Sequence, residues 1–370
     1  MSPRVPRGTA PGPRPRGDAP GSTARVAVIA GDGIGPEVIE AAIPVLDRAA
    51  AQHKYRIAWE RLPYGADHYL KTRETLPEDA FRHVRDDVDA IFVGAFGDPR
   101  VPGNEHARDI LLGLRTRLDL YINFRPVQLL HPDLRAVKSG QGRSGAVAGG
   151  IDFVIFRENS EGLYLGRGHR SGDEFVAEEV NTARGVERII RAAFAWAAAH
   201  GRKRVTMSDK SNAIPAHQVW QEQFKLAAAG YANIQAEHRY IDTLALELVR
   251  EPERFDVIVT NNLFGDIVSD LGAALVGGLG LAASANLHPG HVGLFEPVHG
   301  SAPAIAGKGV ANPIAAILAG ALMLEQLGQE EAARAVERAV RNALAAGART
   351  PDVGGKATTR EVAQAVAAAL

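Results

Sequence analysis

The chain has no cysteine among its 370 residues, which excludes disulfides, thiolate nucleophiles and cysteine-ligated zinc or iron–sulfur clusters. Net charge is nearly absent too: at −1 the molecule as a whole has no attraction for nucleic acid or an acidic membrane surface. An anionic ligand must therefore be held by locally placed arginines, and a small-molecule site is expected. No stretch is apolar for long enough to span a bilayer, and no internal repeat is present. Residues 1–24 are dominated by Pro, Arg and Gly without an apolar run, so they resemble neither a signal peptide nor an anchor. A disordered tail is expected there, with a phosphate-seeking basic arm as the alternative. These absences suit the cytoplasm, without membrane or nucleic-acid partners.

What is present is an ordinary soluble composition, 46% hydrophobic and 23% charged, long enough for two domains. Apolar runs at Arg25–Ala30, Val88–Gly94, Tyr121–Phe124, Ile151–Phe156, Val205–Ser208 and Asp256–Thr260 read as strands. Helical patterns lie at Arg108–Leu118, Gly185–His200, Pro313–Leu327, Glu330–Ala346 and Val362–Leu370. Alternation of the two predicts an α/β fold with polar groups at the sheet edges. After the first strand comes Gly31-Asp32-Gly33-Ile34-Gly35, followed by Pro36 at a helix start. Its spacing differs from the dinucleotide fingerprint G-x-G-x-x-G, so the loop reads only as backbone that must approach a ligand closely.

The strand Asp256–Thr260 runs into Asp266 and Asp270, four residues apart and hence on one helix face. Two carboxylates so placed repel unless a cation lies between them, and a hard ion such as Mg²⁺ takes one or two carboxylates plus water and substrate oxygens. The alternative is a solvated first helix turn favoured by the dipole. A third acid, Asp242, ends a further strand in Tyr240-Ile241-Asp242.

Arg108, Leu111, Leu112 and Arg115 form one helical stripe, two guanidiniums flanking two leucines. Arg125 and Arg157 follow strands, and four arginines at element ends suggest carboxylate recognition, although snorkelling surface arginines explain the stripe as well. Tyr164 follows a polar turn, and Lys210 stands at a strand end, where a lysine beside carboxylates can act as a general base. Leu294–Pro303 begins like a strand and continues as a ligand loop.

Taken together, the segments GDGIGPEV (31–38), LLGLRTRLDLYINFRP (111–126), RENSEGLY (157–164), DKSN (209–212), NLFGDIVSD (262–270) and EPVHGSAPAIAGKGVANP (296–313) resemble the isocitrate/isopropylmalate dehydrogenase family. The similarity runs from about Arg25 to the C-terminus. It implies a two-domain α/β fold distinct from the Rossmann topology. Residues 25–120 plus 279–370 would form a large cofactor-binding domain, and 121–278 a smaller one with the metal site and the interface of a homodimer with shared active sites. It further implies oxidative decarboxylation of a malate-type hydroxy acid with NAD and Mg²⁺ or Mn²⁺. Leu111, Leu112, Arg115, Arg125, Arg157 and Asn212 would bind substrate. His299, Gly300, Ser301, Ala302, Pro303 and Asn312 would bind NAD, and Asp266 and Asp270 the metal. Asp242 would complete the metal site from the partner subunit, which also supplies Lys210 and Asn212. Tyr164 and Lys210 would be acid and base, with Asp242 backing the lysine.

Two positions depart from the family pattern. Ala304 stands where NAD-using members commonly have an acid for the ribose hydroxyls, and Arg108 where isopropylmalate enzymes tend to have an acid near the nicotinamide. Leu111 and Leu112 favour an alkyl side chain as in 3-isopropylmalate; D-malate, tartrate or a specialised malate analogue are the alternatives. A retired family member acting as a regulatory subunit is the competing class, disfavoured because Tyr164, Lys210, Asp242, Asp266 and Asp270 are all retained.

Overall fold

The computed structural model of the chain describes residues 23–137 and 150–370. Residues 1–22 of the expected tail lie outside the described residues, whereas Thr23 and Ala24 already belong to the first strand. Twelve strands follow in chain order: β1 (Thr23–Gly31), β2 (Arg56–Leu62), β3 (Ala90–Ala95), β4 (Ile122–Gln128), β5 (Asp152–Glu158), β6 (Gly168–Ser171), β7 (Glu174–Ala177), β8 (Arg204–Asp209), β9 (Gln235–Tyr240), β10 (Val257–Thr260), β11 (Ala283–Leu287) and β12 (Gly293–Pro297). Ten of them make one mixed sheet, ordered β2-β1-β3-β12-β11-β4-β5-β10-β8-β9, and β6 and β7 pair separately as a hairpin. The two flanks are parallel; three antiparallel pairings, β12–β11, β11–β4 and β4–β5, join them in the middle.

Parallel strands are covered on both faces and so read as unbroken apolar runs, as β3 and β10 do. Along β1, Val26 and Val28 face one core while Ala27 and Ile29 face another. The same alternation puts Val154 and Phe156 of β5 on one side and Phe153 and Ile155 on the other. Helices Gly35–Gln52, Ile314–Gln326 and Glu330–Ala345 cover one face, and Asn262–Leu275 lies on the opposite face of β5. Among the described residues no helix is long and apolar enough to cross a membrane.

Several expected element bounds shift. Arg125 and Arg157 lie inside β4 and β5 rather than beyond them, because the strands are longer than their apolar runs. Pro126 argues against a central strand from sequence, yet β11 pairs only Ile122–Phe124, so at Pro126 only β5 flanks β4. Asp242 sits in the first turn of a helix, Ile241–Arg250, not at a strand end. The expected helix Arg108–Leu118 begins at Glu105 and contains a π-turn over Arg108–Leu112 before α-geometry resumes at Gly113–Arg117. A π-turn holds one residue more than an α-turn. It breaks the simple stripe: Ile110 and Leu114 are fully buried, Leu111 and Leu112 half-buried, and Arg108 exposed.

The glycine loop makes a close backbone contact of its own. A Cβ on Gly33 would sit 2.0 Å from the Ser301 carbonyl oxygen, and Gly33 has φ +58°, so its close approach is to the 299–303 turn. Ile34 donates its amide to that same carbonyl at 2.8 Å. The loop's glycines therefore lock two chain segments together.

Candidate active site

β5, β10 and β8 are adjacent parallel strands, with Thr260 opposite both Arg157 and Ser208. Their C-terminal ends thus bring Arg157, the start of the Asn262–Leu275 helix and Lys210 to one edge, where open α/β sheets bind ligands. The Asn261 side chain accepts from the Phe264 amide at 2.8 Å and starts that helix; Asp266 and Asp270 then follow one turn apart.

Asp266 is the hub. Its Oδ1 accepts from Arg157 and lies 3.2 Å from Arg125 Nη2, and its Oδ2 accepts from the Tyr164 hydroxyl at 2.8 Å. Arg157 is almost fully buried and gives two further hydrogen bonds to Asn262 Oδ1, at 3.1 and 2.8 Å. Its stem lies over Gly265, where a Cβ would come within 2.5 Å of Arg157 Cγ. Arg125 donates to Asn123 Oδ1 at 2.6 Å and to Ser269, and its Nη1 is 3.5 Å from Asp270. Arg115, also buried, pairs with Glu296 at 2.6 Å, and its Nε has no hydrogen-bond partner among the described residues.

The electrostatics follow from this crowding. Burial, and then the neighbouring guanidiniums, pull Arg157 below its usual range; burial does the same to Arg125, with Asp266 opposing it. Burial pushes the Asp266 carboxyl up, but Arg157, Arg125 and the Tyr164 hydrogen bond outweigh it and hold it below the ordinary aspartate range. Asp270 goes the other way: burial raises it and Arg125 only partly offsets this. Buried guanidiniums with an unpaired Arg115 Nε are groups that suit an anionic ligand.

Asp266 and Asp270 suit a hard divalent cation. They present carboxylate oxygens one helix turn apart, and Arg125 lies within ion-pair distance of both. Among the described residues no three His, Asp or Glu side chains are grouped to hold a metal. Asp242 instead accepts from Lys210 Nζ at 2.6 Å, and no hydrogen bond or ion pair joins either residue to Asp266 or Asp270. The lysine holds the Asp242 carboxyl below its usual range. Asn212 is exposed beside them.

His299–Pro303, the residues expected to meet a cofactor, form the turn packed on Gly33, with Ser301 buried and Ala302, Pro303, Ala304 and Ile305 exposed. Burial pulls His299 below the usual imidazole range, and its Nε2 is buried without a hydrogen-bond partner among the described residues. Open space surrounds Gly300. These features fit a bound cofactor. Asn312 is more committed: its Nδ2 donates to Asp352 at 3.1 Å and its Oδ1 accepts from the Ile314 amide at 3.1 Å, just before the next helix.

Sequence reasoning passed over Asn262, Ser269 and Glu296. Asn262 was findable, because the four-residue spacing of Asp266 and Asp270 extends back to it. Glu296, the partner of Arg115, is distant in sequence and gives no local signal.

The family model for isocitrate/isopropylmalate dehydrogenase matches residues 25–366. The chain belongs to the isocitrate/isopropylmalate dehydrogenase family. It is 41% identical over 358 residues to D-malate dehydrogenase [decarboxylating] of Escherichia coli (strain K12), covering 93% of this chain and 98% of that one. A 3-isopropylmalate dehydrogenase of Clavibacter sepedonicus is 43% identical over 360 residues, with 94% and 98% covered. The crystal structure of isocitrate dehydrogenase from Methylococcus capsulatus superposes with a TM-score of 0.81 at 37% identity, covering 94% of this chain and 99% of that one. As an oxidoreductase of this family, the chain has the mixed α/β fold that its motifs implied.

Proposed function

We propose that this family member oxidatively decarboxylates a malate-type 2-hydroxy acid, with NAD as hydride acceptor and Mg²⁺ or Mn²⁺ bound at Asp266 and Asp270. Charge balance supports it. Three guanidiniums, Arg115, Arg125 and Arg157, stand against three carboxylates, Glu296, Asp266 and Asp270. A dianionic substrate or a divalent cation alone unbalances the cluster, whereas the two together leave it neutral. Arg125 and Arg157 would transfer from the aspartates to the substrate carboxylates as the cation takes their place.

When bound, the metal would polarise the substrate's hydroxyl and neighbouring carboxylate as a Lewis acid, and the nicotinamide would accept the hydride. The chain's own groups do the rest. Lys210, steadied by Asp242, takes the hydroxyl proton; Tyr164 gives a proton to the carbon that loses CO₂. We infer that Lys210, Asn212 and Asp242 act in the partner's site of a homodimer. Leu246, Val249 and Ile267 on adjoining helices and Phe175 on the β6–β7 hairpin are exposed apolar side chains that a second copy could cover. Two domains, 25–120 with 279–370 and 121–278, divide the sheet five strands to five at β11–β4. A cytoplasmic enzyme is the corresponding setting.

For the substrate, an alkylmalate such as 3-isopropylmalate is favoured over D-malate or tartrate. The observation is the helix itself: Leu111 and Leu112 are half-buried on the π-turn, while Arg108 is exposed and already 3.6 Å from Asp109. An apolar pocket rejects a charged group strongly but separates methylenes by only about 1–3 kcal/mol. The test compares kcat/KM for 3-isopropylmalate, D-malate, tartrate, isocitrate and homoisocitrate, with NAD and either metal, in wild type and Arg108→Ala. Best turnover of an acidic side chain, lost selectively in Arg108→Ala, overturns the alkyl reading; no metal-dependent NAD reduction with any of them overturns the reaction.

A further inference from the structure

We propose that His217 is a positioning residue for Lys210 and, through Glu179, ties that lysine to the start of the helix bearing Asp266 and Asp270. This rests on the reading of Lys210 as proton acceptor. His217 is wholly buried, in the turn that follows Lys210. Its Nδ1 accepts from the Lys210 backbone amide at 3.0 Å, which fixes the tautomer with hydrogen on Nε2. That hydrogen goes to Glu179 Oε1, 2.8 Å away. The same oxygen accepts from Asn261 Nδ2 at 3.1 Å, and Asn261 is the residue whose side chain caps the aspartate helix. Asn181 adds a third donor to it at 3.3 Å and is itself held by Trp220 Nε1 at 2.9 Å. The edge of Phe264, from the first turn of the aspartate helix, packs on the imidazole with ring centroids 5.6 Å apart.

The connection matters because a lysine head is steered by where its backbone is set. Among the described residues, Nζ of Lys210 meets Asp242 and, at 5.9 Å, the Tyr240 ring. Its carbonyl is held by the amides of Ala213 and Ile214 at 2.9 and 2.8 Å, and its amide by His217. Both ends of the lysine's backbone are thereby fixed, one of them through a side chain that also reaches the neighbouring strand's exit. In the proposed dimer each protomer lends Lys210 to its partner while keeping its own aspartate helix, so the path joins the machinery of two sites.

Two substitutions separate the two bonds of His217. Asparagine can place an amide oxygen at the Nδ1 position and keep the Lys210 bond; glutamine can reach Glu179 but offers nothing at Nδ1. In His217→Gln the Lys210 amide should exchange with deuterium about tenfold faster or more, and His217→Asn should restore most of the protection. On the best substrate His217→Gln should lose about tenfold or more in kcat with the hydroxy-acid KM within about twofold, since a small misplacement of a catalytic group costs rate rather than binding. His217→Asn should recover at least half of the lost kcat. An unchanged Lys210 exchange rate in His217→Gln, or equal kcat losses in both variants that track their losses in melting temperature, overturns the proposal. If the wild type turns over no malate derivative the reaction assignment fails, and the exchange measurement still decides the role of His217.

Discussion

Tyr164 donates to Asp266 Oδ2 at 2.8 Å while Arg157 occupies Oδ1 of the same carboxylate, so the candidate proton donor and the candidate metal ligand are one hydrogen-bonded unit. Burial raises Tyr164 above the ordinary tyrosine range, and its bond to Asp266 raises it further. A raised pKa keeps the phenol protonated: donor capacity is fully present below the usual value of about 10 and is lost only as pH climbs through the higher folded value.

Tyr164→Phe should therefore slow protonation of the decarboxylated product by roughly 10²-fold or more while sparing hydride transfer. Supplying the β-keto acid directly and following CO₂ release checks this. The wild-type alkaline limb should lie above pH ~10 and disappear in the variant. An undiminished rate removes Tyr164 from the acid role.

Asp266→Asn should abolish metal-dependent turnover, by about a hundredfold or more, and leave the protein folded. The amide still accepts from Arg157, but the buried guanidiniums lose their counter-charge. Because Asp266 is about a third exposed, the cost should be about 1–2 kcal/mol, below that of a fully buried pair. Thermal melts with and without Mg²⁺ read both effects: Mg²⁺ should raise the wild-type melting temperature and not the variant's. EDTA should inactivate the wild type reversibly.

NAD should be preferred over NADP, because exposed Ala304 and Ile305 offer neither cation nor hydroxyl to a 2′-phosphate. Ala304→Asp should lower the KM for NAD about fivefold, the equivalent of one net hydrogen bond near 1 kcal/mol. A wild-type kcat/KM higher with NADP contradicts the reasoning.

Gly265→Ala pits two effects against each other. Replacing a helical glycine gains about 0.5–1 kcal/mol, whereas forcing a methyl against a packed stem costs about 1–3. With a Cβ 2.5 Å from Arg157 Cγ the clash should win. The expected outcome is a lower denaturation midpoint and a hydroxy-acid KM raised about tenfold, as the guanidinium is displaced. A more stable variant with unchanged KM would show that the Arg157 stem moves aside freely.

Much of this architecture was readable because periodicity is local. The buried runs of β1, β3, β5, β8 and β10 and the four-residue spacing of Asp266 and Asp270 need no tertiary information. What failed lay where packing overrides pattern. Arg125 and Arg157 look like strand-end cations, yet the strands continue past them because Asp266, Asn262 and Ser269 on the Asn262–Leu275 helix satisfy their guanidiniums. Asp242 was misassigned to a strand end because β9 ends at Tyr240 and the next helix begins at Ile241, with no residue between them to mark the change. The last helix was expected to begin at Val362 and begins at Thr359, although Thr358 and Glu361 form a capping box that the sequence displays openly. The Arg115–Glu296 pairing spans 181 residues and no local rule reaches it.

The π-turn at Arg108–Leu112 gives the helix proposed to face the substrate a spare residue. Excising one residue there can let the turn relax to α-geometry while Gly113–Arg117 keeps its phase and Arg115 its place against Glu296. Side chains on the proposed substrate side can then be exchanged, or their register slid by one, without moving Arg115, the arginine proposed to grip a carboxylate. Matching Arg108 to a relative's residue by sequence column alone presumes that the relative shares the extra residue; comparing helix geometries is the safer guide to which side chain stands beside the nicotinamide.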